Sequence, residues 1–160
     1  MIQRNIAIVN PQYQAKNQVF VTDIKNIRHE YLLGDSLRLN QVLLNLLSNA
    51  GKFTPENGTI TLTVKELPRK HSGHAVYQIA VADTGIGISP EFLPKLFLPF
   101  EREKSRYQNQ TEGTGLGLVI SKNIISVMGG QIFVESHLGE GSVFTVEVEL
   151  PLSMEVDDEL

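Results

Sequence analysis

The chain has 160 residues, 41% of them apolar, which suffices for one domain with a sizeable core. A formal net charge of -4 leaves no basic excess to neutralise a nucleic-acid backbone, so no nucleic-acid partner is expected. The absence of cysteine excludes disulfides and thiolate chemistry. With no apolar run near the roughly 20 residues that span a bilayer and no signal-peptide pattern, a cytoplasmic domain without direct membrane contact is expected, as such or as the cytoplasmic portion of a membrane-anchored protein.

Ile2, Ile6, Val9 and Tyr13 recur at roughly helical spacing and predict a helix over 3–16, kinked or restarted at Pro11. Residues 18–24 alternate as a strand, and 27–33 read as a short second strand entering a turn at Gly34. The stretch 35–54, DSLRLNQVLLNLLSNAGKFT, reads as one long helix. Leu39, Val42, Leu43, Leu46, Leu47 and Ala50 form its apolar stripe; Asp35 caps its start, and Thr54-Pro55 ends it. Beside that stripe, Gln41, Asn45 and Asn49 follow at intervals of four, with Lys52 and Phe53 one turn further on. Amides combine donors and an acceptor without net charge, so such a ladder suits metal and phosphate oxygens or a polar ligand along the helix; a polar border capping local backbone has the same pattern.

Residues 58–66 put Ile60, Leu62 and Val64 on one face, and a loop over 68–74 leads into 75–83, predicting an antiparallel hairpin. His71 and His74 lie in that loop with no cysteine or carboxylate pair in sequence to complete a metal site, and His29-Glu30 lacks the second histidine of a zincin helix. Tyr77, Ile79, Val81 and Asp83 share a face, so the Asp83 carboxylate emerges on the core side, where a lone acid needs a partner. After it comes TGIGI, 84–88, whose glycines allow a tight turn or the close approach of a planar ligand. Asp-Thr-Gly also occurs in aspartic proteases, but their catalytic pair needs two such segments and this chain has one.

Ser89-Pro90-Glu91 is a helix start that Pro94 interrupts, and Leu96-Phe97-Leu98-Pro99-Phe100 suggests an anchored hinge. Residues 101–112 have almost nothing to bury, predicting a mobile surface loop bearing Arg102, Lys104 and Arg106. GTGLGL, 113–118, then opens a helix carrying Leu116, Ile120, Ile124, Val127 and Met128 and ending at Gly129-Gly130. A glycine-rich loop feeding a helix N-terminus offers N–H groups to an anion, phosphate being the natural occupant. It is neither a Walker A loop, since no Gly-Lys-Ser/Thr follows, nor a Rossmann fingerprint, since its glycines are spaced differently. Two closing strands, 131–136 and 142–150, follow; Ser142 faces inward with Phe144, Val146, Val148 and Leu150 and can reach Asp83 if their strands are neighbours. The acidic residues from 153 read as a frayed end or linker.

Taken together and in this order, QVLLNLLSNAGKFTPENGTI, ADTGIGIS, LFLPFER, GTGLGL and LGEGSVFTVEVELP resemble the motif boxes of the Bergerat fold shared by type II topoisomerases, large heat-shock chaperones, mismatch-repair ATPases and sensor histidine kinases. The chain most resembles the catalytic and ATP-binding domain of sensor histidine kinases, over residues 17 to 151 at least. The resemblance implies an α/β two-layer sandwich, a mixed and mostly antiparallel sheet of about five strands packed on three helices, with ATP between the helix layer and a lid. Residues 1–152 would be this domain and 153–160 a tail or linker.

The resemblance further implies that Asn45 and Asn49 coordinate Mg2+ and the phosphates, Asn49 being the principal metal ligand, and that Lys52 contacts phosphate. Phe53 would lie over the nucleotide. Asp83 would accept the adenine amino group, directly and through water held with Ser142, while Gly85, Gly87 and Ile88 would border the base. Gly113, Thr114, Gly115, Leu116, Gly117 and Leu118 would surround the triphosphate, and Arg102 matches a lid arginine at the terminal phosphate. ATP-hydrolysing relatives have Glu where this chain has Gln41, and an amide cannot polarise an attacking water, so hydrolysis is not the expected task. A neutral imidazole is already a nucleophile, so a histidine kinase can work without that carboxylate. The dimerising helical hairpin with its phosphorylatable histidine is absent from the sequence, so the expected partners are that domain of the same parent protein and a response regulator receiver domain downstream. A nucleotide-binding regulatory module without kinase activity, and an anti-sigma-type serine kinase of the same superfamily, are the alternatives.

Overall fold

Strand alternation decides which side of the sheet meets the helices. The computed structural model describes residues 1–99 and 116–153. Helix α1 (Ile2–Ala15) leads to strand β1 (Val19–Lys25), helix α2 (Ser36–Phe53), strands β2 (Thr59–Leu67) and β3 (His74–Asp83), helix α3 (Gly117–Val127), and strands β4 (Gln131–His137) and β5 (Gly141–Pro151). The five strands lie in the order β1-β2-β3-β5-β4, with β1 parallel to β2 and the other pairs antiparallel. The β1–β2 connection crosses over through α2, which is what a parallel pair requires, and the chain passes from β3 to β4 across β5, which lies between them.

Ile60, Leu62 and Val64 of β2, Ile79 and Val81 of β3, and Phe144, Val146 and Val148 of β5 are buried on one face, where they join Leu43, Leu46 and Leu47 of α2 in a single core. The expected α/β two-layer sandwich is thus the observed one. The same parity carries Asp83 and Ser142 to the helix side, and the two residues are direct cross-strand partners.

Four expectations need correction. Residues 27–33 form no strand, because β1 takes the place beside β2. They make a single bridge, Leu32 to Leu152, while the Glu66 carboxylate accepts the backbone N–H groups of Arg28 at 2.7 Å and His29 at 3.0 Å, and the Tyr77 hydroxyl donates to the His29 carbonyl. Helix α1 does not restart at Pro11; the helix runs through it, and Pro11 and Ala7, whose carbonyl lacks its usual partner, are both exposed to water. Ser89-Pro90-Glu91 starts only a turn and one 3-10 segment, Leu93–Lys95, although Ser89 Oγ does accept the Phe92 N–H at 3.3 Å. In α3 the buried side is Ser121, Ile124 and Ile125, whereas Ile120 is 40% and Val127 80% exposed.

Candidate functional site

Helix α2 is the ruler of the site. Asp35 caps its start by accepting the Arg38 N–H at 3.1 Å, and its far end is held by two side chains from outside the helix. Lys16 Nζ donates to the carbonyls of Gly51 (2.9 Å) and Thr54 (2.8 Å), and Gln18 Nε2 to the same pair at 3.0 and 2.7 Å. An ammonium at a helix C-terminus complements the dipole, although burial lowers the Lys16 pKa, partly offset by Glu56. Neither residue was read from the sequence as bearing on the site, because a contact across more than thirty positions leaves no local pattern.

Along the polar edge, Gln41 is exposed, Asn45 and Asn49 are half-buried, and Lys52 and Phe53 are exposed at the last turn. Asn45 is pinned against the start of α3: its Nδ2 donates to Ser121 Oγ at 3.0 Å, and any Cβ on Gly117 would collide with its Oδ1. Leu116, the residue before α3, makes no side-chain cap bond. Leu116, Gly117 and Leu118 are all half-buried there.

At the other end, Asp83 sits at the tip of β3. Its Oδ1 accepts the Gly85 N–H at 2.9 Å, and Gly85 itself lies so close to the Phe53 carbonyl that a Cβ could not fit between them. The Ile86 N–H donates to that same carbonyl at 3.2 Å, locking the glycine turn to the end of α2. Burial raises the Asp83 pKa, opposed by the backbone N–H groups of Gly85 and Ser142. The acid is thus held by backbone N–H groups.

Gly87 has φ +69° and meets the His137 carbonyl where a side chain would be, so the turn is fitted to the β4–β5 connection by its backbone. Beside it, the Ile88 N–H donates to Ser136 Oγ at 2.8 Å. Ser136 in turn donates to the Gly141 carbonyl (3.0 Å) and pairs with Ser142 Oγ (2.8 Å). The hydroxyl partner of Ser142 is thus Ser136; the nearness of Ser142 to Asp83 is realised through strand pairing.

Asp83, Gly85, Gly87, Ile88, Phe53 and Ser142 are brought together at one end of α2, and Asn45, Leu116, Gly117 and Leu118 gather nearer its middle, with Asn49 between the two groups on the same edge. From Asn45 to Phe53 the helix rises about 12 Å. Arg102, Gly113, Thr114 and Gly115 lie outside the described residues, as does the expected lid. Ser121 and Ser136 escaped the sequence reading because a lone serine carries no periodicity, although Ser121 stands four residues after Gly117 and so on the same helix face.

The donor set fits phosphate and a hard cation. Magnesium prefers oxygen ligands and keeps several waters, and the amide oxygens of Asn45 and Asn49 are of that type. Among the described residues, no group of three or more His, Cys, Asp or Glu side chains could hold a metal unaided.

A family model described as histidine kinase-, DNA gyrase B-, and HSP90-like ATPase matches residues 34–153. The sensor protein GacS of Pseudomonas syringae pv. syringae is 42% identical over 159 residues, 99% of this chain but 17% of that protein. Full-length ShkA in complex with AMPPNP aligns with a TM-score of 0.76 at 30% identity, over 94% of this chain and 29% of that one. The nucleotide-free catalytic domain of histidine kinase ThkA aligns at 0.73, also 30% identical, over 94% of this chain and 90% of that one.

Proposed function

As the chain belongs to the histidine kinase-, DNA gyrase B- and HSP90-like ATPase family, and there to the ATP-binding catalytic domains of sensor histidine kinases, we propose that it binds Mg-ATP and transfers the γ-phosphoryl group to a histidine on a dimerisation domain of the same parent protein. In this reading residues 1–152 are the ATP-binding domain and 153–160 an acidic tail or linker. A response regulator receiver domain is the downstream acceptor. The observation that carries this reading is the joint position of Asp83 and the amide edge of α2 on the helix side of the sheet, with Gly85 closed against Phe53.

Asp83 accepts the 6-amino group of adenine, with Gly85, Gly87 and Ile88 bordering the ring and Phe53 across it. Asn45, Asn49 and the glycine loop from Gly113 to Leu118 hold the phosphates. A divalent cation bound there supplies charge neutralisation of the phosphate oxygens. Lys52, and Arg102 from the lid, add positive charge as the imidazole nitrogen bonds to the γ-phosphorus and ADP departs. Gln41 cannot take the imidazole proton, so that proton leaves to a base on the histidine-bearing domain.

Mixing the chain with the helical domain of its parent and labelled ATP tests the assignment. Label should appear on the helical domain in an acid-labile bond; acid-stable label would identify a hydroxyl acceptor, and no transfer despite ATP binding would identify a nucleotide-sensing module.

A further inference from the structure

We propose that Ser136 is a positioning residue that fixes the direction of the Ser142 hydroxyl and thereby makes the base site select a 6-amino over a 6-oxo purine; this rests on the ATP-binding reading above. A serine hydroxyl has one proton and two lone pairs. At Ser136 all three are assigned. The Ile88 N–H can only donate, so it occupies one lone pair at 2.8 Å, and the Gly141 carbonyl can only accept, so it takes the proton at 3.0 Å. Ser142 Oγ, 2.8 Å away, is left facing the second lone pair and must be the donor.

The consequence falls on Ser142, which is 7% exposed and paired across the sheet with Asp83. With its proton committed to Ser136, its oxygen offers only lone pairs to the site. The ionised carboxylate of Asp83 also only accepts. Two acceptors on one side of the site welcome an exocyclic amine, whereas a 6-oxo group would set a further acceptor against their lone pairs, and such a mismatch of buried polar groups is what gives a polar site its discrimination. Removing the Ser136 hydroxyl frees the Ser142 proton to turn and donate to a 6-oxo group.

The test measures affinities of the chain for Mg-ATP and Mg-ITP by titration calorimetry. Ser136→Ala should lower the ATP-to-ITP affinity ratio roughly 3- to 10-fold, the worth of about one hydrogen bond, while Ser136→Thr keeps it. In a Ser142→Ala background the Ser136→Ala change should leave the ratio where it is. If the alanine variant fails to fold, the isosteric pair Ser136→Thr and Ser136→Val gives the same comparison. An equal loss for both nucleotides, or an undiminished ratio change in the Ser142→Ala background, overturns the inference. Wild-type chain that binds ATP and ITP equally overturns it too but leaves the kinase reading intact, whereas wild-type chain that binds neither overturns both.

Discussion

A methyl group on Gly51 would reach to within 2.7 Å of Tyr13 Cε1 and 2.8 Å of Gln12 Nε2. Helix propensity alone favours alanine there by up to about 1 kcal/mol. The Tyr13 ring cannot yield, because it is 1% exposed and its hydroxyl donates to the Leu47 carbonyl at 2.6 Å. Overpacking of this kind costs about 1–3 kcal/mol. Gly51→Ala should therefore lower stability by a net 1 kcal/mol or so in urea unfolding, and a stabilised variant would show that Tyr13 moves freely. From the sequence, Gly51 was legible only as a weak point in a helix, since the residue that requires it lies 38 positions away. Asp83, by contrast, could be read from strand parity alone, because an acid in an otherwise apolar series breaks the pattern by itself.

At the scale of elements, residues 26–35 show how a connection can be held without being a strand. Glu66, with its side chain 4% exposed, gathers that segment: it accepts two backbone N–H groups and the His29 ring at 2.6 Å, while Arg69 reaches the other ring nitrogen. Burial raises the Glu66 pKa, but the hydrogen bonds from Arg28 and His29 outweigh it and leave the carboxyl below its ordinary value. Tyr77, buried beside this acid, is pushed up to about 12 and so remains a donor. A depressed folded-state pKa contributes stability above the unfolded value, near 4.3, that is lost as pH falls through the folded one. Glu66→Gln should cost about 1–3 kcal/mol at pH 7, with the difference from wild type shrinking as pH falls below roughly 4; a gap that stays constant with pH would mean that the ionised carboxylate is not the anchor. The sequence misled here because alternating residues read as a strand wherever they occur, and nothing local tells that the sheet position is already filled by β1. Helix α3 misled in a similar way, since its seam with α2 is made by Gly117 and Ser121, which an apolar count passes over.

Across the whole molecule, the arrangement of the five-stranded sheet and its helix layer was legible because β2 and β5 alternate, β3 does so from Tyr77 onward, and α2 has clear start and stop signals. The position of Asp83 beside Ser142 on the helix side of the sheet followed from strand parity. What stayed illegible are the long-range polar ties, Lys16 and Gln18 to the end of α2 and Ser136 to Ser142, since hydrogen bonds depend on positions that only the packed fold defines. The chain spans 17% of the length of GacS.

The proposed function requires that Asp83 and the asparagines of α2 hold the same nucleotide. Its most direct test is calorimetric titration of Mg-ATP into the wild-type chain and into Asp83→Asn. The substitution keeps one acceptor oxygen for the backbone N–H groups and removes a charge disfavoured by burial, and a thermal melt of the ligand-free variant separates lost binding from unfolding. Binding heat is expected with wild type, and an affinity at least about tenfold weaker with Asp83→Asn, the worth of one charge-assisted hydrogen bond. Undiminished affinity in a folded Asp83→Asn variant would contradict it.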